Sequence, residues 1–381
     1  MKIVMLCLSA GIQKTISFES FAPGEVNRSK SYRYDASGKA INSARVLMQL
    51  AGTTNVEASS LVAADSSARD AATSGVPATT DGASVSVICP LGERNKDFFL
   101  EMAHADGLNV KVVPIPGFTR ECCTLLDEKS GQTTELVVEE PVPTCDSAPY
   151  EEKLMELLTA ELGISTGSDA GGSVSDGTGV SSCDAQKADA LLFSGSRPKF
   201  WNARIIKRIA AAAKANNILF MADFRGNDLL SILGEYTPDI IKINEDEFVA
   251  TFGADFAKNT KCTESAPHAN CADSANAPAA FQAEQQLATA ITETSRSLNN
   301  IVVVTRGAKA TLAAEKGTPY NSPSECVKAV NTIGCGDAYN AGFLYEYLAT
   351  KDMNKSLEKG KWCASRNAEC LRPGVLHDKN K

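Results

Sequence analysis

The sequence predicts an α/β fold built on a mostly parallel sheet, and three observations carry that prediction. Short apolar, β-rich runs alternate with helical stretches from residue 188 onward. The chain opens on a buried-looking apolar run. Two segments of its first 140 residues have the alternation of antiparallel strands with one exposed face.

In chain order, Met1–Ser9 is short, apolar and rich in β-formers, and predicts a buried strand. Thr15–Phe21 and Ser31–Tyr34 alternate polar and apolar residues around the turn Pro23-Gly24. Ile41, Ala44, Val46, Leu47 and Leu50 recur at helical spacing, and Gly52 stops that helix. Cys122–Val138 predicts a second antiparallel excursion, turning at Glu128-Lys129-Ser130-Gly131. Leu191-Leu192-Phe193, a helix over Asn202–Ala215, Ile218–Ala222, Ile240–Ile243 and Ile301–Thr305 then give strands separated by longer stretches, as parallel βαβ units require. Two stretches break the rhythm, residues 163–186 and 258–280. Their Gly, Ser, Thr, Asp, Ala and Asn cannot bury enough apolar area to offset ordering entropy, so they are read as mobile surface insertions rather than lids.

The 381 residues carry 38 basic and 46 acidic side chains, a net charge of −8, which disfavours a general nucleic-acid binder. No run approaches the roughly 20 apolar residues of a membrane span, and the opening run lacks a signal-peptide cleavage pattern, so a cytoplasmic location with no membrane partner is expected. Twelve cysteines include no CxxC pair and there are only three histidines, so structural zinc is not expected and the thiols read as small apolar residues.

The strongest local signal is Val330-Asn331-Thr332-Ile333-Gly334-Cys335-Gly336-Asp337-Ala338, small residues leading straight into a helix that continues through Phe343, Leu344, Tyr347 and Leu348. Such a turn points backbone N–H groups outward at the positive end of a helix and holds a phosphate. Asp337 at that mouth suits general-base work on a hydroxyl. The same residues also suit a plain glycine-rich helix entry capped by Asp337, and this segment alone does not decide between the two. A second segment, Tyr34-Asp35-Ala36-Ser37-Gly38-Lys39-Ala40-Ile41-Asn42, again stands just before a helix, without a Walker pattern.

With Ser194-Gly195-Ser196, Lys242-Ile243-Asn244-Glu245-Asp246-Glu247 and Thr305-Arg306-Gly307-Ala308 between them in that order, the chain resembles the ribokinase-like (PfkB) carbohydrate kinases. The 1-phosphofructokinase and tagatose-6-phosphate kinase branch is the most similar, given also Pro23-Gly24-Glu25-Val26-Asn27-Arg28 and Ala44-Arg45-Val46-Leu47. The resemblance implies a three-layer α/β/α sandwich with a mostly parallel central sheet and a small β-sheet lid. It implies a single kinase domain over residues 1–381, lid segments at about 12–35 and 110–140, and a homodimer paired through the lid.

It further implies an ATP-dependent phosphosugar kinase that uses Mg2+ and acts on fructose 1-phosphate, tagatose 6-phosphate or fructose 6-phosphate. Asp337 matches the catalytic base, with Gly334, Cys335 and Gly336 as the anion hole. Gln13, Gly38, Lys39, Asn42, Arg120 and Ser194 fall on the sugar side, where Arg120 and Lys39 would meet the acceptor's own phosphate. Lys242, Asn244, Thr305 and Gly307 fall on the nucleotide side, and Glu247 and Asp223 near the metal.

The chain departs from the family pattern at several places. Gln13 stands where relatives carry Asp, Ser37-Gly38-Lys39-Ala40 replaces Gly-Gly-Lys-Gly, and Glu140-Pro141-Val142-Pro143 falls where relatives have Gly-Pro. Ala310 replaces a glycine. Cys335 replaces Ala or Ser, at a helix start that would lower a thiol pKa. Two rivals follow: a kinase for an unphosphorylated sugar or nucleoside, and a catalytically weak sugar-phosphate or nucleotide sensor of the same fold. A dinucleotide oxidoreductase is disfavoured because no GxGxxG follows the first strand.

Overall fold

A computed structural model of the chain describes residues 1–29, 31–52, 83–164, 186–253 and 277–377. The chain begins with β1 (Lys2–Leu6), β2 (Gly11–Phe18), β3 (Ser31–Ser37), α1 (Lys39–Leu50), β4 (Ser84–Gly92), α2 (Lys96–Ala105) and β5 (Asn109–Ile115). It continues through β6 (Glu121–Asp127), β7 (Gln132–Leu136), α3 (Ala148–Leu162), β8 (Ala190–Ser194), α4 (Arg204–Ala215), β9 (Leu219–Asp223) and α5 (Gly226–Leu230). The remainder is β10 (Ile240–Asn244), α6 (Glu245–Phe252), α7 (Ala277–Leu298), β11 (Ile301–Thr305), β12 (Thr311–Glu315), β13 (Thr318–Ser322), α8 (Cys335–Thr350) and α9 (Met353–Ala368). Most of the two expected insertions lies outside the described residues.

The period of two along β1 builds the layers. Ile3 and Met5 join a core with α1, α2, α8 and α9, whereas Val4 and Leu6 join the opposite core with α3, α4 and α7. The strands between are apolar on both faces: β8 is buried along its whole length, and β10 and β11 are buried at four of five positions. The result is a nine-stranded sheet in the order β13-β12-β11-β10-β9-β8-β1-β4-β5. It is parallel from β11 to β5 and ends in the antiparallel hairpin β12–β13.

The strand order runs outward in both directions from β1, which lies between β8 and β4. That is a topological switch point, and open α/β sheets bind ligands outside the carboxyl ends of the strands there. Ser194, Asp223, Asn244 and Thr305 are the last residues of β8, β9, β10 and β11, so four of the expected site residues sit at that rim.

A separate four-stranded sheet, β3-β2-β6-β7, stands over the same rim. Its β2–β3 and β6–β7 pairs are antiparallel hairpins, joined through the parallel pair β2–β6. Asn109–Ile115 belongs to the large sheet, paired with β4, and the small sheet resumes only at Glu121.

A buried ion network ties the small sheet to the body. Arg45 of α1 meets Asp106 at 2.8 Å, Arg372 meets the same carboxylate at 2.6 Å, and Arg372 reaches Asp35 of β3 at 2.8 Å. Removing one member of such a buried set costs about 3–5 kcal/mol, because the charge left behind is uncompensated.

Candidate active site

The start of α8 is shaped by glycine. Gly334 takes φ of 79°, and a Cβ there would stand 3.0 Å from Pro373 Cβ, so both backbone angle and space favour glycine. Gly334 is the N-cap and has no side-chain capping bond, so the capping alternative for Asp337 is not realised. Asp337 lies instead in the first helical turn, buried, with Oδ2 accepting from Asn42 Nδ2 at 2.8 Å.

Two cations and a second carboxylate surround it. Burial pushes the Asp337 carboxyl up to about 6. The Asp223 charge adds to that rise, while Lys39, the Asn42 hydrogen bond and Lys242 oppose it. Asp223 Oδ1 lies 3.3 Å from Lys39 Nζ and 3.9 Å from Lys242 Nζ, and Oδ2 accepts from Asn340 Nδ2 at 2.8 Å. Burial alone would lower the Lys39 ammonium, but Asp223, Asp337 and Glu247 outweigh it and hold its pKa above the usual lysine value. Lys242 Nζ also donates to Gly336 O at 3.2 Å, which fastens the first turn of α8 to β10.

Asp337, Asn42, Lys39, Lys242 and Gly336 line a cleft of about 590 Å³ between the strand ends, the small sheet and the α8 start. Gln13, Gly38, Lys39, Asn42 and Arg120 line the cleft together with Lys242, Asn244, Glu247 and Thr305, and Gly334, Gly336 and Asp337 line it too. Gly38 has φ of 128° and its missing Cβ would meet Ala10 Cα at 3.1 Å, which turns the chain tightly into α1. Gln13 is buried and donates through Nε2 to Thr124 Oγ1 at 2.8 Å.

Not every expected residue reaches the cleft. Ser194 is fully buried with no partner for its hydroxyl, and the adjoining Gly195 and Ser196 line the cleft in its place. Asp223 lies behind the lining residues, paired with Lys39 and Lys242, and Gly307 falls in the turn after β11 outside them. Cys335 donates its N–H to Thr332 O at 3.3 Å, and Asn367 Nδ2 approaches its sulfur at 3.4 Å. Burial raises its thiol pKa despite the helix start, the reverse of the direction expected from sequence.

Asn244 and Glu247 form a reciprocal capping box on α6: Glu247 N–H donates to Asn244 Oδ1 at 2.8 Å and Asn244 N–H to Glu247 Oε2 at 3.1 Å. Arg225 stands 3.5 Å from Glu247 Oε1. Each carboxylate oxygen keeps further acceptor capacity. Among the described residues no set of three or more His, Cys, Asp or Glu gathers to cage a metal. A hydrated Mg2+ held through one carboxylate and substrate phosphates fits this donor set, whereas a metal bound by protein ligands alone does not.

The sequence gives no sign of several partners. Arg120 Nη1 lies 3.4 Å from Glu140 Oε1, Ser9 Oγ donates to the same Glu140 oxygen, and Arg120 Nε is buried without a partner. Burial raises the Glu140 carboxyl against the pull of Ser9 and Arg120.

The match of known proteins to this chain follows the same lines. The pfkB family carbohydrate kinase model matches residues 168–376. ATP-dependent 6-phosphofructokinase isozyme 2 of Mycobacterium tuberculosis is 22% identical over 374 residues, covering 98% of this chain and 85% of that protein. Phosphofructokinase-2 from Escherichia coli, solved in complex with fructose-6-phosphate, superposes with a TM-score of 0.67 at 16% identity over 96% of this chain and 93% of its own. A possible 1-phosphofructokinase from Thermotoga maritima gives 0.67 at 15% identity, over 100% of this chain and 95% of its own. With that family model spanning more than half the chain, and the fold agreeing with it, the protein belongs to the pfkB family of carbohydrate kinases.

Proposed function

We propose that this kinase transfers the γ-phosphate of ATP to a hydroxyl of a hexose phosphate, with Asp337 as general base. The observation that carries the reading is a buried carboxyl at the α8 start, raised to about 6, in one cleft with the guanidinium of Arg120. A base with that pKa is largely ionised at neutral pH yet still basic enough to accept a proton in the transition state. Asn42 engages Oδ2, which leaves Oδ1 of Asp337 to take the acceptor's proton.

The N–H groups at the start of α8, from Gly334 to Gly336, form the anion hole for charge developing on the transferred phosphoryl. The Cys335 N–H is directed to Thr332 O, so the two glycines carry most of that role. Lys39 and Lys242 neutralise Asp223 and keep the cleft from rejecting an anionic donor. Glu247, with Asp223 behind Lys39 and Lys242, would hold a hydrated Mg2+ beside the nucleotide phosphates, and the ion would supply charge neutralisation there. Asn244 and Thr305, paired in register at the ends of β10 and β11, form the edge on which the nucleotide lies, with Gly307 in the next turn.

Arg120 binds the phosphate already on the acceptor. Relatives named for 6-phosphofructokinase, 1-phosphofructokinase and a fructose-6-phosphate complex agree with a phosphorylated hexose. The small sheet acts as the lid over the sugar, excluding water. It also offers a dimer face: Leu136, Val137 and Val138 are exposed at and beyond the end of β7, next to an unpaired strand edge. No helix among the described residues is long and apolar enough to cross a membrane.

ADP release measured over a panel of free and phosphorylated sugars tests the substrate class. Phosphorylated hexoses should exceed their unphosphorylated counterparts by about tenfold or more in kcat/KM, since a charge-assisted bidentate contact is worth roughly 1.5–3 kcal/mol. Equal turnover of free sugars would contradict the assignment.

A further inference from the structure

We infer that Arg45, which does not line the cleft, is a positioning residue that fixes which way the Asn42 amide faces the base; this rests on the reading of Asp337 as that base. Arg45 Nη1 donates to Asn42 Oδ1 at 3.2 Å, and Asn42 Nδ2 donates to Asp337 Oδ2 at 2.8 Å. A guanidinium has only donors, so the amide oxygen must face Arg45 and the NH2 must face Asp337. Flipped, the amide would set its oxygen against the carboxylate and its NH2 against the guanidinium, losing both bonds.

Arg45 is itself immobilised. Its Nε donates to Asp106 Oδ2 at 2.8 Å, Nη2 to Ala36 O at 2.6 Å, and Nη1 also to Pro373 O at 3.1 Å. The two side chains are one helical turn apart on α1, 1% and 4% exposed. Asp106 is shared with Arg372, which reaches Asp35 of β3. The amide is thereby referenced to the body and the small sheet before any substrate arrives. A lysine at position 45 keeps a charge for Asp106 but lacks the planar fork that reaches Asp106 and Asn42 together.

The consequence is read in the ionisation of Asp337. The other groups facing it are Lys39 from α1, Asp223 from β9, Lys242 from β10 and Cys335 from its own helix, with Glu247 from α6 beyond Lys39. None of these changes in Arg45→Lys. A donor lost from the charged form raises a carboxyl pKa, so the acidic limb of kcat moves upward.

The test is kcat against pH, with hexose phosphate and MgATP, for wild type, Arg45→Lys, Asn42→Ala and the double variant, beside Asp337→Asn. Each single change should raise the acidic limb by about half a unit or more, and the double variant should add little to Asn42→Ala. A limb that stays in place while kcat falls equally at every pH would overturn the proposal, as would additive shifts. Should Arg45→Lys fail to fold, Arg45→Gln takes its place: Arg372 still pairs Asp106, no charge is added beside Asp337, and the shorter amide lacks the fork that holds Asp106 and Asn42 together. Its limb should rise, and an unmoved one overturns the proposal too. If Asp337→Asn keeps its activity, the base assignment fails and the role of Arg45 falls with it.

Discussion

The ammonium of Lys39 lies 3.3 Å from the carboxylate of Asp223, although residues 39 and 223 are far apart in the chain. The residue expected to greet the acceptor's phosphate is therefore also the counter-charge of the buried Asp223 carboxylate near Asp337. Lys39→Met should do more than weaken acceptor binding. Lys39 is one of the charges holding the Asp337 carboxyl down, so the acidic limb of kcat should rise, and kcat at neutral pH should fall about tenfold or more. A change confined to KM would show that Lys39 serves the acceptor alone.

Stability should depend on pH through Asp337. Its folded pKa, about 6, lies above the ordinary 3.8, so its contribution is fully present below about 3.8 and is lost as pH rises through about 6. Asp337→Asn removes a buried charge that exists only above that window. The variant should be more stable than wild type at pH 7.5, by on the order of 2 kcal/mol, and match it near pH 4. Thermal melts at the two pH values check this.

Arg120 and Glu140 should act in opposite directions. Glu140 stands 3.4 Å from the Arg120 guanidinium, so under the proposed role of Arg120 it would compete with an incoming phosphate. Arg120→Met should raise KM for the phosphorylated acceptor about a hundredfold and leave KM for ATP unchanged. Glu140→Gln should lower the acceptor KM several-fold, to be measured in the same assay.

Cys335 should be slow to react. Burial raises its thiol pKa, so little thiolate is present at pH 7. Iodoacetamide labelling of the native protein followed by mass spectrometry should modify exposed Cys145 and Cys326 well before Cys335. Cys335→Ser should keep near wild-type kcat, because the loop uses its backbone.

What was legible in the sequence was local. Apolar runs located β8, β10 and β11 to within a residue or so, because strands buried on both faces need continuous apolar side chains. The hairpin strand β13, with sequence TPYNS, has no such pattern and owes its place to its β12 partner at the sheet edge. The glycine turn before α8 was legible because a positive φ and a helix start are written in adjacent residues. The Arg45–Asp106 and Arg372–Asp106 bonds join residues 61 and 266 positions apart, and the Ser9–Glu140 bond residues 131 apart. Neither periodicity nor motif spacing carries such pairings; only the packing of the small sheet against the body does. The same distance hid the bond from Asn42 to Asp337, a residue for which the family resemblance implied a sugar contact.

The most direct measurement is acceptor-dependent ADP release by Asp337→Asn beside wild type, with MgATP and the best hexose phosphate at pH 7.5. General-base catalysis contributes about 10²- to 10⁴-fold, so kcat should fall at least a hundredfold while the protein stays folded and its KM for ATP holds. A variant that kept most of its turnover would contradict the assignment of Asp337 as the group that takes the acceptor's proton.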